Sequence, residues 1–472
     1  MKKYRLVSFF LCIPLLAGLL VLPAAAAGSA DPTATAEASG IVAGMHIEAR
    51  AALLADPDTD EVLYAQNAHE RMYPASITKV MTALLALEAV DRGDLSMDQV
   101  ITVSNDVFTG IGEGGSTVDI KPGEQLTVRD LLNCALIPSA NEACNALAVA
   151  VSGSIAAFVE QMNQRAAEIG MAETHFANTH GYHDDDHYTT AYDVYLMCRE
   201  AMDHAEFRTI VSSKNYTVPA TNLHEQRVVR DTNALISNYR ITGYLYEYAN
   251  GIKTGSTPEA GYCLAASASK NGKNLISVVL GAENPKDAAG NTSRLQFSES
   301  ARLLEWGFNN FSQQTILDDT ALNIAEIPVT LSDQVNSLVV RPEGTLTATL
   351  PNDMDVKDFD WDWSLIAESV EAPVEEGQVL GSITVSYKGT EYGTLDLVAN
   401  TSVSRSEWLY RLDRIQKFFG QLWVRIVIAA VLVLIAVLVL RRVLFRGQRG
   451  GGRRRGYAYS GSRYTGGRRR KR

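Results

Sequence analysis

Tyr73-Pro74-Ala75-Ser76-Ile77-Thr78-Lys79 runs straight into Val80-Met81-Thr82-Ala83-Leu84-Leu85-Ala86-Leu87-Glu88. Pro74 suits the start of a helix, because the N–H it lacks would have no intrahelical partner there. The run that follows consists of good helix formers and carries an apolar face. Ser76 therefore falls at or near a helix N-terminus, with Lys79 one turn on and on a neighbouring part of the surface. A serine hydroxyl becomes a nucleophile when a nearby base takes its proton, and a neutral amine is such a base. The positive end of the helix dipole disfavours an extra cation, which pushes the lysine towards that neutral form.

The Ser-x-x-Lys pattern occurs again at Ser267-Ala268-Ser269-Lys270. That copy lies in one arm of a hairpin, since Tyr262–Lys270 and Lys273–Leu280 flank Asn271-Gly272, a strong two-residue turn signal. Positions three apart on a strand face opposite sides, so this copy cannot form the pair. Ser-x-Asn also occurs twice, at Ser139-Ala140-Asn141 and Ser213-Lys214-Asn215. The first follows Ile137-Pro138 at a junction between two helical patterns, where side chains can project into a cleft. Lys253-Thr254-Gly255 opens a β-rich section. Taken singly, each motif is more readily structural than catalytic.

The pattern along the chain is that of an α+β protein. Residues 28–41 read as a linker rich in Ala, Thr and Ser. Strand signals at Ala51–Leu54 and Val62-Leu63-Tyr64 flank a turn at Pro57-Asp58-Thr59-Asp60. Helical patterns cover Thr127–Leu132, Glu142–Ala150, Ile155–Ile169 and Glu299–Phe308, while residues 176–192 are polar and loop-like. Together these form a domain over 42–312. A small all-β domain over 315–401 follows, with no helix period and no evident chemistry. Trp408, Leu409, Leu412, Ile415, Phe419, Leu422 and Trp423 recur at helical spacing, which makes 402–421 an amphipathic juxtamembrane segment. Ile426 to Leu440 is unbroken apolar sequence; with Leu422–Val424, and Arg425 snorkelling, 422–440 reaches membrane-spanning length.

The charge agrees with that topology. The net charge is −11, yet Lys2, Lys3 and Arg5 stand without an acid in the first 27 residues, and thirteen Lys and Arg stand without one in 441–472. Residues 28–440 therefore carry −27. A basic start, an apolar run from Leu6 to Leu22 and the small residues up to Ala27 mark 1–27 as an export signal. The basic tail at 441–472 fixes a cytoplasmic C-terminus and places the body outside a cell membrane crossed once. Its glycine and arginine content indicates disorder and attraction to anionic lipid headgroups. An acidic body is not a nucleic-acid binder. Cys134, Cys144, Cys198 and Cys263 are widely spaced and read as buried free thiols; Cys12 falls in the signal.

As an ordered set, Ser76/Lys79, Ser139/Asn141 and Lys253-Thr254-Gly255 resemble the three elements of penicillin-binding proteins and class A β-lactamases. With Phe176-Ala177-Asn178-Thr179-His180-Gly181, Tyr188-Thr189-Thr190-Ala191-Tyr192-Asp193, Gly251–Gly281 and Leu303–Phe308, the chain resembles the D-alanyl-D-alanine carboxypeptidases, low-molecular-mass penicillin-binding proteins of serine peptidase type. The resemblance covers about 42–312. It implies a transpeptidase-like domain, a helical cluster plus antiparallel sheet, followed by the small β domain and C-terminal transmembrane helix. It implies a hydrolase acting on peptidoglycan stem peptides that end in D-Ala-D-Ala, acylated by β-lactams and needing no cofactor. It gives catalytic roles to Ser76 (nucleophile), Lys79 (base) and Ser139 (proton relay). Asn141, Lys253, Thr254, Gly255, Ser256 and Thr257 would bind substrate, with the Ser76 and Ser256 backbone N–H groups as oxyanion hole. Gly255 would let substrate approach the strand closely.

Relatives often carry an arginine before the final helix; the register puts Gln296 there, with Arg294 two residues earlier, and leaves the role of Arg294 open. His180, His183, Asp184, Asp185, Asp186 and His187 have the chemistry of metal ligands, but the family uses no metal, and the loop is read as a border of the cleft. A penicillin-binding sensor that signals through the membrane is an alternative function, although no folded cytoplasmic effector follows. A β-lactamase is a more distant one, because no Glu-x-x-Leu-Asn stretch follows Ser139 to supply a deacylating carboxylate.

Overall fold

The computed structural model describes residues 44–321 and 324–446. The expected signal at 1–27 and linker at 28–41 lie outside them, as does the tail beyond residue 446.

The chain begins with strands β1 (Ala51–Ala55) and β2 (Val62–Gln66), joined by the expected turn. The Ser76 turn leads into α1 (Lys79–Asp91). A short pair, β3 (Val100–Thr102) and β4 (Gln125–Thr127), brackets a long loop and delivers the chain into α2 (Val128–Leu136), α3 (Asn141–Ser152) and α4 (Ile155–Glu168). After a loop come α5 (Ala191–Met202) and α6 (Ala205–Val211), then a hairpin of β5 (Asn215–Val218) and β6 (Arg227–Arg230) that the sequence did not suggest. Strands β7 (Ala249–Thr257), β8 (Gly261–Lys270) and β9 (Lys273–Ala282) precede α7 (Leu295–Asn310), whose first turn starts four residues earlier than the apolar pattern indicated.

Five strands form one antiparallel sheet in the order β2-β1-β9-β8-β7. The turn between β8 and β9 is at Asn271-Gly272, both with positive φ, and pairs Lys270 with Lys273. Period-2 alternation gives the sheet two apolar faces. Ala51, Leu53, Ala265, Val278 and Leu280 face the helical cluster; Ala52, Leu54, Leu264, Ala266 and Val279 pack with Phe297, Leu303 and Leu304 of α7. One structural difference concerns α1. It is not amphipathic with a single apolar face: every residue from Lys79 to Leu87 is buried, so it is the central helix of the cluster. Strand β7 is left at the sheet edge beside the Ser76 turn.

The chain divides into two compact units. The first takes in the described residues up to Asp319 together with Gly344–Trp363 and Ile383–Leu395; the second holds Thr320–Glu343, Ser364–Ser382 and the described residues from Asp396 on. The contiguous β domain expected over 315–401 is therefore interleaved. One cause is that strand Phe311–Leu317 pairs antiparallel with Leu346–Pro351, which draws that stretch into the first unit. In the second unit Ala325–Thr330 pairs with Ser337–Pro342, whose other edge takes Leu397–Ala399, and Val329 pairs in parallel with Val370. Its β character is as expected. Two helices follow, the amphipathic Glu407–Gly420 and the apolar Leu422–Arg446, of which Leu422–Leu444 is long and apolar enough to cross a membrane.

Helix α2, which leads to the Ser139 corner, starts with a capping box. The Thr127 hydroxyl accepts from Asp130 N at 3.0 Å and the Asp130 carboxylate accepts from Thr127 N at 3.1 Å. Replacing Thr127 by Ala is expected to cost about 1 kcal/mol in denaturant unfolding; an unchanged midpoint would show the cap to be without effect.

Candidate active site

Pro74 caps a single 3-10 turn, Ala75–Thr78, that runs directly into α1. Lys79 is the first α-helical residue, and its Nζ donates to Ser76 Oγ at 2.8 Å and to the His180 carbonyl at 2.7 Å. The turn is a tight one: Ala75 has φ +46°, a region that costs a non-glycine residue energy unless its surroundings hold it there. Thr78 Oγ1 donates to the Ala75 carbonyl at 2.8 Å. His187 Nδ1 accepts from Ala177 N at 3.0 Å, so its Nε2 carries the proton and donates to Thr78 Oγ1 at 2.7 Å. Burial pushes the His187 imidazole down to about 3 against the opposing pull of Asp184, so the ring stays neutral in this relay. On the other side Gly181, at φ +83°, lies so close that a Cβ there would meet the Ala75 carbonyl oxygen at 1.7 Å. Only glycine fits.

Lys79 is completely buried, and burial lowers its pKa to about 8 against the opposing pull of Cys144 and Glu142. The cause is thus removal from water. His180 lies alongside, its imidazole pushed to about 3 by burial and by the Lys79 charge.

Strand β7 forms the opposite wall. Lys253 is buried and its Nζ donates to the Thr254 carbonyl at 3.2 Å. Burial and the Lys79 charge lower the Lys253 pKa; the buried carboxylate of Asp231 pulls it back up, and burial raises the Asp231 pKa in turn. Thr254 Oγ1 meets Thr232 Oγ1 at 2.6 Å, and Thr257 Oγ1 accepts from Ala260 N at 3.0 Å. Gly255 also meets a packing need. A Cβ there would lie 2.8 Å from Pro74 O and 3.2 Å from Ser76 N, so the missing side chain lets β7 close against the Ser76 turn itself.

The third corner is the α2–α3 junction. Ser139 sits at φ +73°, buried, with its Oγ lacking any hydrogen-bond partner among the described residues. Asn141 opens α3, and its N–H donates to Ser116 O at 2.9 Å. The cleft has two lobes that share Ser76, Ser116 and Ser256. The larger, about 490 Å³, is lined by Asn141, Tyr182, His183, Thr257 and the acids Glu113 and Glu259. The smaller, about 220 Å³, is lined by Ser139, Thr254, Gly255, Arg240, Arg294 and Gln296. The lining acids stand in the first lobe and the lining arginines in the second.

The sequence model of a family described as D-alanyl-D-alanine carboxypeptidase matches residues 34–284. The chain is 31% identical over 408 residues to D-alanyl-D-alanine carboxypeptidase DacC of Escherichia coli (strain K12), covering 84% of this chain and 93% of the relative. It is 30% identical over 370 residues to DacF of Bacillus subtilis (strain 168), covering 78% and 89%. This chain is a D-alanyl-D-alanine carboxypeptidase family member. Penicillin binding protein 5 from Haemophilus influenzae has the same fold, with a TM-score of 0.59 at 28% identity over 76% of this chain and 98% of that one. Membership makes the protein a serine hydrolase.

The structure brings together every residue the motifs singled out: Ser76, Lys79, Ser139, Asn141 and Lys253 through Thr257. The decoy motifs are structural. Ser267 donates to Asn250 Oδ1 at 2.6 Å while Lys270 pairs with Glu305, and Ser213 bonds the Thr209 carbonyl. The histidine-rich loop does border the cleft. Among its residues, His187 holds the Ser76 turn and His183 packs edge-on against Tyr73, and no group of three potential ligands converges on a point among the described residues. Sequence reasoning missed Asp231, Thr232, Arg240, Ser116 and Glu142. None belongs to a short motif; only the sequence Arg230-Asp231-Thr232-Asn233, polar before a β-rich section, hinted at a site.

The Thr78 relay is testable. Thr78→Val keeps the shape but strands the His187 N–H and the Ala75 carbonyl, and it is expected to cost about 1–3 kcal/mol in denaturant unfolding. A cost within experimental error would show that the turn is held without it.

Proposed function

We propose that Ser76 is the nucleophile, Lys79 its general base and Ser139 the proton relay of a D-Ala-D-Ala carboxypeptidase. Ser76 Oγ attacks the carbonyl between the two terminal D-alanines of a peptidoglycan stem peptide. Its proton passes to Lys79, D-Ala leaves with a proton returned to its amine by way of Ser139, and water then hydrolyses the acyl-enzyme. The observation that carries this reading is the 2.8 Å contact between Ser76 Oγ and the Nζ of a lysine whose burial brings its pKa to about 8. A base tuned near the working pH is what proton transfer requires. The arginine-lined lobe, with Lys253 and Thr254, receives the terminal carboxylate, while Asn141, Ser256 and Thr257 bind the peptide. The Ser76 and Ser256 backbone N–H groups form the oxyanion hole. β-Lactams, whose ring carbonyl presents the same target, acylate Ser76.

Leu422–Arg446 anchors the enzyme in a cell membrane, supported by its length and apolar surface. The basic residues of 441–472 support a cytoplasmic C-terminus, contact of the tail with anionic lipid, and a catalytic body outside the membrane.

Two experiments test the catalytic reading. Ser76→Ala is expected to release no D-Ala from a D-Ala-D-Ala peptide and to retain no penicillin; release at the wild-type rate would sink the assignment. In the wild type a stable penicillin adduct without peptide cleavage would point to a sensor, and rapid penicillin turnover to a lactamase. Because the active form of Lys79 is the neutral amine, kcat/KM is expected to rise with pH, to bend near the lysine pKa of about 8 and to level off above it. A flat profile from pH 6 to 10 would exclude Lys79 as the base.

A further inference from the structure

The hairpin β5–β6 carries no residue of the reaction described above, yet its tip holds one wall of the cleft. Glu124, completely buried just before β4, accepts from Arg227 Nη2 at 2.5 Å and from Thr221 Oγ1 at 3.0 Å through Oε1. Its Oε2 accepts from Lys121 N at 3.1 Å and lies 3.0 Å from His224 Nδ1. The same guanidinium donates from Nη1 to the Val118 carbonyl at 3.0 Å. Asn222 completes the grip, accepting from Gln125 N and donating to the Gly123 carbonyl, both at 2.8 Å. The loop is held from its other side by Glu142, whose Oε1 accepts from Thr117 Oγ1 at 2.5 Å and Val118 N at 2.7 Å, and by Asn141 N on Ser116 O. The stretch so held continues directly from Glu113, Gly114, Gly115 and Ser116, which line the cleft, Ser116 in both lobes.

We propose that Arg227 and Glu124 are positioning residues that set the 113–118 wall against Ser76 and Asn141, so that substrate affinity depends on a hairpin that never touches substrate. A buried ion pair is weak evidence of a stability role, because desolvation offsets most of its attraction. What the forked guanidinium supplies is geometry: two separate nitrogens of one rigid plane bond the carboxylate and a wall carbonyl at once, which fixes their relative placement more tightly than the single nitrogen of a lysine would. The proposal rests on the reading of Ser76 as nucleophile.

The test compares steady-state D-Ala release and penicillin acylation in R227Q, R227K, E124Q and a control, R165Q. Arg165 makes a similarly placed ion pair with Glu88 and Glu200 but lines neither lobe of the cleft. Misplacing the wall is expected to raise KM for the peptide about tenfold in R227Q, and less in R227K, with kcat within about threefold of wild type. R165Q is expected to lower Tm with KM unchanged. If R227Q does not fold, R227K and E124Q carry the same comparison. Unchanged KM in every folded Arg227 and Glu124 variant, in a background where the wild type is acylated, overturns the clamp alone. A wild type that penicillin does not acylate overturns the reading of Ser76 and the clamp with it.

Discussion

The contact on which the site depends is a lysine amine held 2.8 Å from a serine hydroxyl in a place from which water is excluded. Burying an ammonium costs several kcal/mol unless it is paired or gives up its proton. Among the described residues no carboxylate is in hydrogen-bond contact with Lys79; its acceptors are the Ser76 hydroxyl and the His180 carbonyl. A hydroxyl and a peptide oxygen satisfy an amine well and an ammonium only partly, so the neutral form gains. Much of the neighbouring backbone then follows as the means of excluding water. Gly181 presses on the Ala75 carbonyl, Gly255 lets β7 close over Pro74 and Ser76, and the Thr78–His187 relay keeps Ala75 in a conformation that its own side chain disfavours.

A second buried lysine makes the balance more demanding. Lys253 and Lys79 repel when both are charged, and burial disfavours both charges. Asp231 offsets part of that cost at Lys253, drawing its pKa back up without restoring the ordinary lysine range, while Cys144 and Glu142 act on Lys79 in the same sense. Burial thus holds both amines below the ordinary lysine range, one near a buried acid and the other against the Ser76 hydroxyl.

Much of this was legible in the chain. Asn271-Gly272 between two apolar runs dictated a hairpin, and a hairpin disqualified Ser267/Lys270 as a reactive pair on period alone. Pro74 ahead of an unbroken run of helix formers placed Ser76 and Lys79 on one surface. What was not legible depends on contacts distant in sequence. Asp231 and Arg240 are an acid and a cation in irregular segments, and nothing in their spacing shows that their charges act on Lys253. The packing need at Gly255 could not be read either, because the neighbour that forbids a Cβ there, Pro74, is far away in the chain. The second unit was read as contiguous for the same reason: strand pairing between Phe311–Leu317 and Leu346–Pro351 is a tertiary fact with no local signature.

The unsatisfied polar atoms tell where the protein has left its own packing incomplete. Native interiors pair nearly all buried polar groups, so exceptions call for a reason. Of the twelve such side-chain atoms among the described residues, Ser139 Oγ and Gln296 Oε1 belong to residues that line the cleft, and Asp231 Oδ2 and Glu142 Oε2 to residues next in sequence to its lining, while Ser277 Oγ and Ser300 Oγ lie in the core. Ser139 adds an unfavourable backbone to an unpaired hydroxyl. A buried serine without a partner is not peculiar to this site, since Ser277 and Ser300 share it; what sets Ser139 apart is the positive φ combined with a place in the cleft lining. Strained backbone persists only where its surroundings over-determine it, and here the α2–α3 junction does so at the wall facing Ser76.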